Sequence, residues 1–271
     1  MSTAAITLSN RRIERTPAHS AIIYLKETKY EFLKNLRVRM YTASLLSFPL
    51  MFYVLFGLVL NSNQAIAGMR VPTYMIATYG TFGVMGASLF GTASGLASDR
   101  GLGWLEVKRA SPMPPFAYFT AKVITAMIFS ATIVLALFTL GYAFGGVRLS
   151  IVEFASLLGT LVLGSLPFSA MGLALGYFTG PNSAPSTINL IYLPMSFCSG
   201  LWVPIMFLPR FVQHFALAMP PYHLAQLALG MVGAGAHQSN LVHWEVLGAF
   251  TMICLGIARI GFQRDQEKMY G

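Results

Sequence analysis

The residues with the most chemical potential gather in one stretch, DRGLGWLEVKRASPMPP, residues 99–115. It is the most charged segment lying between two long apolar ones. Asp99 and Glu106 stand beside Arg100, Lys108 and Arg109, with Trp104 set among glycines and leucines. Pro112, Pro114 and Pro115 close it. Read as structure, Asp99 caps a short helix whose body runs from Arg100 to Arg109. Leu102, Leu105 and Arg109 share one face, and Trp104 anchors it near a membrane interface. The prolines stop the helix and turn the chain back toward apolar surroundings. Glu106, Lys108 and Arg109 then face water. Such a helix suits docking into a groove on a partner. The plainer alternative is a charged loop that does no more than orient its neighbours.

Other chemistry is excluded by what is missing. No Gly-x-x-x-x-Gly-Lys-Ser/Thr loop is present to cradle a nucleotide, and no His-Glu-x-x-His to hold zinc. No serine sits in a Gly-x-Ser-x-Gly elbow. The histidines (His19, His214, His223, His237 and His243) show no ligand spacing on one helix, so no metal site is expected. Cys198 and Cys254 each lie inside an apolar run and form no disulfide framework. No ionisable residue falls at the middle of an apolar run; Lys122, Glu153, Glu245 and Arg259 lie near the ends. Ion-coupled carriers and intramembrane enzymes need such buried groups.

The elements that must position the patch follow from composition. Hydrophobic residues make up 55% of the 271, charged residues 10%, and mean hydropathy is +0.63. A soluble domain carries about 25% charged residues. The chain therefore reads as an all-α polytopic membrane protein in one transmembrane domain, with room for roughly six spans of about 20 residues. The net charge of +9 sits in blocks flanking apolar runs, as topology signals do, and points away from nucleic acid.

Residues 1–20 read as a loose polar tail without a cleavable signal peptide. Residues 21–40 read as an amphipathic helix on the membrane surface, with Ile22, Leu25, Phe32, Leu36 and Met40 on one face and Lys26, Glu27, Lys34 and Arg37 largely elsewhere. The alternative is the charged start of the first span. Six spans are expected at about 41–60, 73–97, 116–144, 151–178, 184–207 and 241–262. Residues 208–235 are apolar but broken at Pro220–Pro221, and each half is too short to cross a bilayer. They read as two re-entrant helices, or as two surface helices. Fifteen of the eighteen lysines and arginines fall on one side of this layout, which puts both termini and the patch in the cytoplasm. Gly91/Gly95, Gly141/Gly145 and Gly172/Gly176 read as close helix packing. Phe48, Phe52, Tyr53, Met75, Tyr79, Phe82 and Met85 read as core or lipid-facing residues, or as an adaptable apolar path; no residue is assigned to substrate.

DRGLGWLEVKRASPMPPFAYFTAK resembles the loop after span two in membrane subunits of type-2 ABC exporters, of the drug-exporter-like branch. Asp99-Arg100 matches the family's acid-Arg, Gly103, Leu105 and Glu106 its Gly-Leu-Glu core, Ser111-Pro112 its Thr/Ser-Pro, and Lys122 its late lysine. GLWVPIMFLPRFVQHFALAMPPYHLAQLAL, residues 200–229, resembles the segment after span five through Pro204, Pro209, Pro220, Pro221, Tyr222 and His223. The sequence departs from the pattern at Trp104, where Thr is common, in the basic Val107-Lys108-Arg109, and in its short first outer loop, Asn61–Pro72.

The resemblance implies that Asp99, Arg100, Gly103, Leu105, Glu106, Lys108, Arg109 and Pro112 form a coupling helix seated in a cytoplasmic ATPase. It implies two ATPase copies carrying ATP and magnesium, and a second copy of this chain or a related permease. This chain would bind no cofactor and catalyse nothing itself. Its expected location is the cytoplasmic (inner) membrane, in contact with lipid. The expected activity is outward transport of an amphipathic or hydrophobic drug, lipid-like molecule or peptide. The alternatives are a pore, a scaffold or an ion-coupled carrier that no ATPase drives.

Overall fold

The computed structural model describes residues 17–111, 113–114, 116–234 and 239–270. Apart from a two-residue hairpin, its regular structure is helical. Helix α1 spans Pro17–Arg37, and α2 spans Arg39–Phe52 and continues as a π turn over Tyr53–Val59. Pro49 lies inside α2 and removes one ladder donor a turn before the π segment. Strands β1 (Ala65–Ile66) and β2 (Met69–Arg70) pair antiparallel, with Ala65 opposite Arg70. Helix α3 (Val71–Leu89) passes through a second π turn (Phe90–Ser94) into α4 (Gly95–Gly101). Then come α5 (Trp104–Ala110), α6 (Ala117–Phe144), α7 (Ile151–Leu163) and α8 (Ser165–Phe178). Last are α9 (Ala184–Cys198), α10 (Arg210–Ala216), α11 (Pro220–Met231) and α12 (Asn240–Tyr270).

Among the described residues, four segments are long and apolar enough to cross a membrane: Thr42–Val59, Ala117–Phe144, Ile151–Phe178 and Asn240–Gln266. The expected second and fifth spans fall short of that measure for different reasons. Helix α3 is the axis of the bundle. Every residue from Val71 to Leu89 except Thr73 is buried, packed by α2, α6, α8, α9 and α11. A helix enclosed by protein need not satisfy lipid, so it can carry Thr81, Ser88 and glycines. The Thr81 and Ser88 hydroxyls donate to the carbonyls four residues back, at 2.9 and 2.8 Å. Helix α9 has 15 residues and Pro194 inside it, so it is about 23 Å long against an apolar core of about 30 Å.

Glycines set the closest approaches, as their four-residue spacing predicts. A Cβ on Gly172 of α8 would lie 1.9 Å from the Thr92 hydroxyl, and one on Gly176 would lie 2.9 Å from Leu96. One on Gly141 would lie 2.4 Å from the Tyr53 hydroxyl. Gly164 divides α7 from α8; a Cβ there would lie 2.2 Å from Leu224, so the gap receives α11. At the start of α7, the Ser150 hydroxyl accepts from the Glu153 amide while the Glu153 carboxylate accepts from the Ser150 amide. This reciprocal cap fixes where that span begins.

The segment broken at Pro220–Pro221 forms two short helices, α10 and α11. Residues Pro220 to Leu229 are all buried, against α3, α7 and α12.

Candidate functional site

The site grows from α1. Its apolar residues do not pack inward as a group: Ile22, Leu25 and Leu36 are exposed, and Phe32 alone of that face leans on Phe129, with ring centroids 5.5 Å apart. The face turned to the bundle carries Glu27, Glu31 and Lys34. Glu27 pairs with Lys108 of α5. Glu31, only 4% exposed, receives the ammonium of Lys122 at 2.6 Å. Lys34 reaches Asp99 at 2.5 Å. Glu27, Glu31 and Lys34 thus find partners on the bundle side, while Ile22, Leu25 and Leu36 form an outer apolar stripe that suits lipid.

Lys122, on the second turn of α6, is fully buried and bridges two carboxylates, Glu31 and, at 3.0 Å, Asp99. The Tyr118 hydroxyl donates to Asp99 at 2.7 Å. The ring of Tyr118 lies under both Lys108 and Lys122, 4.8 and 4.9 Å from their ammonium nitrogens. Burial alone pushes the Asp99 carboxyl up, but Lys122, Lys34 and the Tyr118 hydroxyl outweigh it and hold it at about 2. A carboxyl depressed in the folded state adds stability above its ordinary value and loses it as pH falls toward about 2. Asp99 is therefore ionised throughout the physiological range.

Arg100, next in sequence, turns the other way. Its Nε and Nη2 donate to Asp265 of α12 at 3.1 and 2.6 Å. Its Nη1 donates to the carbonyls of Gly176 and Tyr177, each at 2.9 Å. These are the last-turn carbonyls of α8, where a cation is favoured.

The patch thus divides. Asp99 and Arg100 sit in α4, not at the cap of the helix that follows; they are internal fasteners joining α1, α4, α6, α8 and α12. Gly103 stands between α4 and α5 at φ 72°, a backbone state that favours glycine, and the chain turns there. Helix α5 puts Leu105 inside, against Tyr118, Leu173 and Tyr177. Leu102 does not share that face; it is exposed, with Trp104, Glu106 and Val107. Lys108 is held by Glu27 rather than offered to water. Arg109 belongs to α5, and Pro112 lies outside the described residues. A cleft of about 460 Å³ runs beside α5, lined by Arg100, Glu106, Asp265 and the Thr179–Pro181 turn. The exposed side of α5 beside this cleft is apolar and acidic.

The pattern of the ABC-2 type transporter family matches residues 27–232, from within α1 past the end of α11. The chain belongs to the ABC-2 type transporter family. Over 243 residues it is 25% identical to a Bacillus subtilis (strain 168) protein named "Putative transport permease YvfS", covering 89% of this chain and 97% of that protein. The chain is a multi-pass membrane permease subunit, and membership of this family implies an ATPase partner in general. The matched stretch includes the α1 carboxylates, the Asp99–Lys122 cluster and α5.

The permease also joins residues that spacing along one helix could not pair. His223 of α11 and His243 of α12 are buried with their Nδ1 atoms 2.8 Å apart. The Leu217 carbonyl only accepts, so His223 Nε2 donates to it at 2.9 Å, and a neutral His223 ring then accepts at Nδ1 from His243. The sequence offers no ligand spacing on one helix, and none is found among the described residues: these two histidines stand 20 residues apart on different helices. Replacing either with alanine strands a buried partner and is expected to cost about 1–3 kcal/mol. In thermal unfolding in detergent, the double alanine variant should lose less than the sum of the two. Fully additive losses would mean that the rings are not bonded.

Proposed function

We propose that this chain is the membrane half of an ATP-driven exporter, and that α5 is where the ATPase pushes. One observation carries the proposal. The outer side of α5, with the turn before it, offers Leu102, Trp104, Glu106 and Val107, while its inner side is tied through Lys108–Glu27, and through neighbouring Asp99 and Arg100, to five other helices. A push on that surface reaches the bundle through ion pairs rather than through a slack loop.

In this proposal the permease crosses the membrane six times, with residues 73–97 and 184–207 as the second and fifth passages. The supporting contacts lie at two opposite ends. Lys34, Asp99, Lys122, Tyr177 and Asp265 meet at one, and Tyr53 with Pro72 and Tyr79 with Trp202 at the other. The first end is the cytoplasmic one, with both chain termini, because fifteen of eighteen basic residues flank it. Helices α10 and α11 then lie at the outer side of the inner membrane. Two ATPase copies bearing ATP and magnesium sit beneath a pair of permeases, two of this chain or this one and a related chain. ATP binding closes the ATPases, α5 and α1 move, and the membrane halves shift as rigid bodies. The cargo is amphipathic or hydrophobic, and it leaves outward.

The test is purification of a tagged copy from its native host in mild detergent, followed by mass spectrometry. A stoichiometric ATPase is expected. A clean permease from cells that express such an ATPase would favour a self-sufficient pore and overturn the proposal.

A further inference from the structure

Helix α1 carries two acids, Glu27 and Glu31, and both face the bundle, held by Lys108 and Lys122. Its Lys34 is held in the same way by Asp99. The charge that α1 leaves outside is therefore of one sign. Lys26, Lys29 and Arg37 are exposed, and none of them pairs with an acid among the described residues.

Helical spacing sets these cations among the exposed apolar residues. At about 3.6 residues per turn, Ile22, Leu25, Lys29 and Leu36 fall on one side of α1, Lys26 and Arg37 border them, and Glu27 and Glu31 lie opposite. Ile22, Leu25 and Leu36 are all exposed. A lysine in such a stripe lays its stem along apolar surface and lifts its ammonium to the level of lipid headgroups. The stripe also ends where the bilayer begins. Helix α1 stops at Arg37, Val38 leaves the helical backbone, and a membrane-crossing segment opens at Thr42. An apolar stripe edged with cations, next to a span, complements a leaflet whose headgroups are anionic. A second copy docked on this face about a two-fold axis would bring the same cations onto one another.

The structure assigns the outer face of α1 as a binding surface for anionic phospholipid, with Lys26, Lys29 and Arg37 as its headgroup contacts. The inner face of the same helix grips α5 through Glu27 and Lys108, so the charge of the leaflet bears on the position of α5. That consequence rests on the reading of α5 as the place where the ATPase pushes; the lipid binding itself needs no ATPase.

The test uses the full chain, purified in mild detergent and washed free of native lipid. Thermal unfolding is followed as dioleoylphosphatidylglycerol, which is anionic, or dioleoylphosphatidylcholine, which is neutral overall, is added. The anionic lipid should raise the melting temperature along a saturating curve. One cation near an anionic surface is worth about fivefold in binding, so three give on the order of a hundredfold. Half-saturation should therefore come at a concentration at least about tenfold below that for phosphatidylcholine. K26Q/K29Q/R37Q should bring the two lipids level. Without lipid this variant should melt with the parent, since no ion pair inside the bundle is removed. K26R/K29R/R37K keeps the charge and should keep the preference, and added salt should weaken it. Equal curves for the two lipids in the parent overturn the assignment. So does a preference that survives K26Q/K29Q/R37Q, because the anionic lipid would then bind elsewhere. A shift reproduced by glycerol 3-phosphate would make this a site for soluble anions and overturn the membrane surface. Loss of a co-purifying ATPase in K26Q/K29Q/R37Q, with no lipid preference in the parent, would make the face a protein dock and overturn it too. The two readings fail separately. No lipid preference in a permease that brings down an ATPase removes the lipid surface alone. A clear preference in a permease that brings down none keeps the surface and removes the exporter.

Discussion

Lys122→Met lowers the stability of the permease by about 3–5 kcal/mol, the cost of removing one member of a buried ion pair. The loss comes from what stays behind. Lys122 is fully buried and serves Glu31 and Asp99, each only 4% exposed. Without it, Asp99 keeps Lys34 at 2.5 Å and the Tyr118 hydroxyl, but among the described residues Glu31 keeps only Lys34, at 3.9 Å. A carboxylate stranded in that position must either protonate or draw in water, and α1 loses its hold on α6. Methionine keeps the length and apolar character of the lysine stem, so the effect isolates the charge. The measurement is thermal unfolding in detergent, with limited proteolysis to follow release of α1. A companion variant, Glu31→Leu with Lys122→Met, removes the stranded charge as well and should recover part of the loss. If Lys122→Met melts within about 0.5 kcal/mol of the parent, as a neutral surface change does, the cluster does not hold the fold.

Glu106→Lys should leave the permease folded but strip it of its ATPase, ending transport. Glu106 is exposed in the first turn of α5, beside exposed Trp104 and Val107. An acid there also favours the positive helix start, so its reversal costs about 0.3–1 kcal/mol, well short of unfolding. The informative control lies six residues earlier. Arg100→Ala breaks the bonds to Asp265, Gly176 and Tyr177, and its melting temperature should fall. Both residues belong to one charged stretch, but one is turned to a partner and the other to the interior. Unchanged ATPase recovery and transport with Glu106→Lys would sink the assignment of α5 as the coupling element, whatever Arg100→Ala does.

Several features were legible because they depend on neighbours along the chain. The apolar runs that became α6, α7–α8 and α12 need no tertiary information, since lipid asks only for length and hydropathy. The Gly172/Gly176 spacing announced a tight contact, and α8 uses both glycines against the Thr92–Leu96 turn. The break at Pro220–Pro221 appears as the start of α11. Helix α3 is harder: its run reads as an ordinary span, and its threonines and its serine make sense only once the other helices enclose it.

The charged groups mark the limit of what local pattern can say. Glu27 and Glu31 stand four residues apart, with Lys34 three beyond, which places them on one side of a helix. That spacing could have signalled an inward ionic face, but it does not say which way the helix faces; lipid reverses the usual rule, and the apolar side turned outward. His223 and His243 carry no signal at all, since their approach depends on how α11 and α12 pack.

What this sequence determines by itself, then, is a chain that must live in a bilayer, with a basic side and a charged interruption at residues 99–115 set by hydropathy and the distribution of lysine and arginine. Which of those charges are fasteners and which are offered to a partner was decided only by tertiary structure. The reason is physical. Burial of an ion depends on whether distant residues bring it a counter-ion, as Glu31 and Asp99 do for Lys122, and no local spacing encodes a partner 91 residues away.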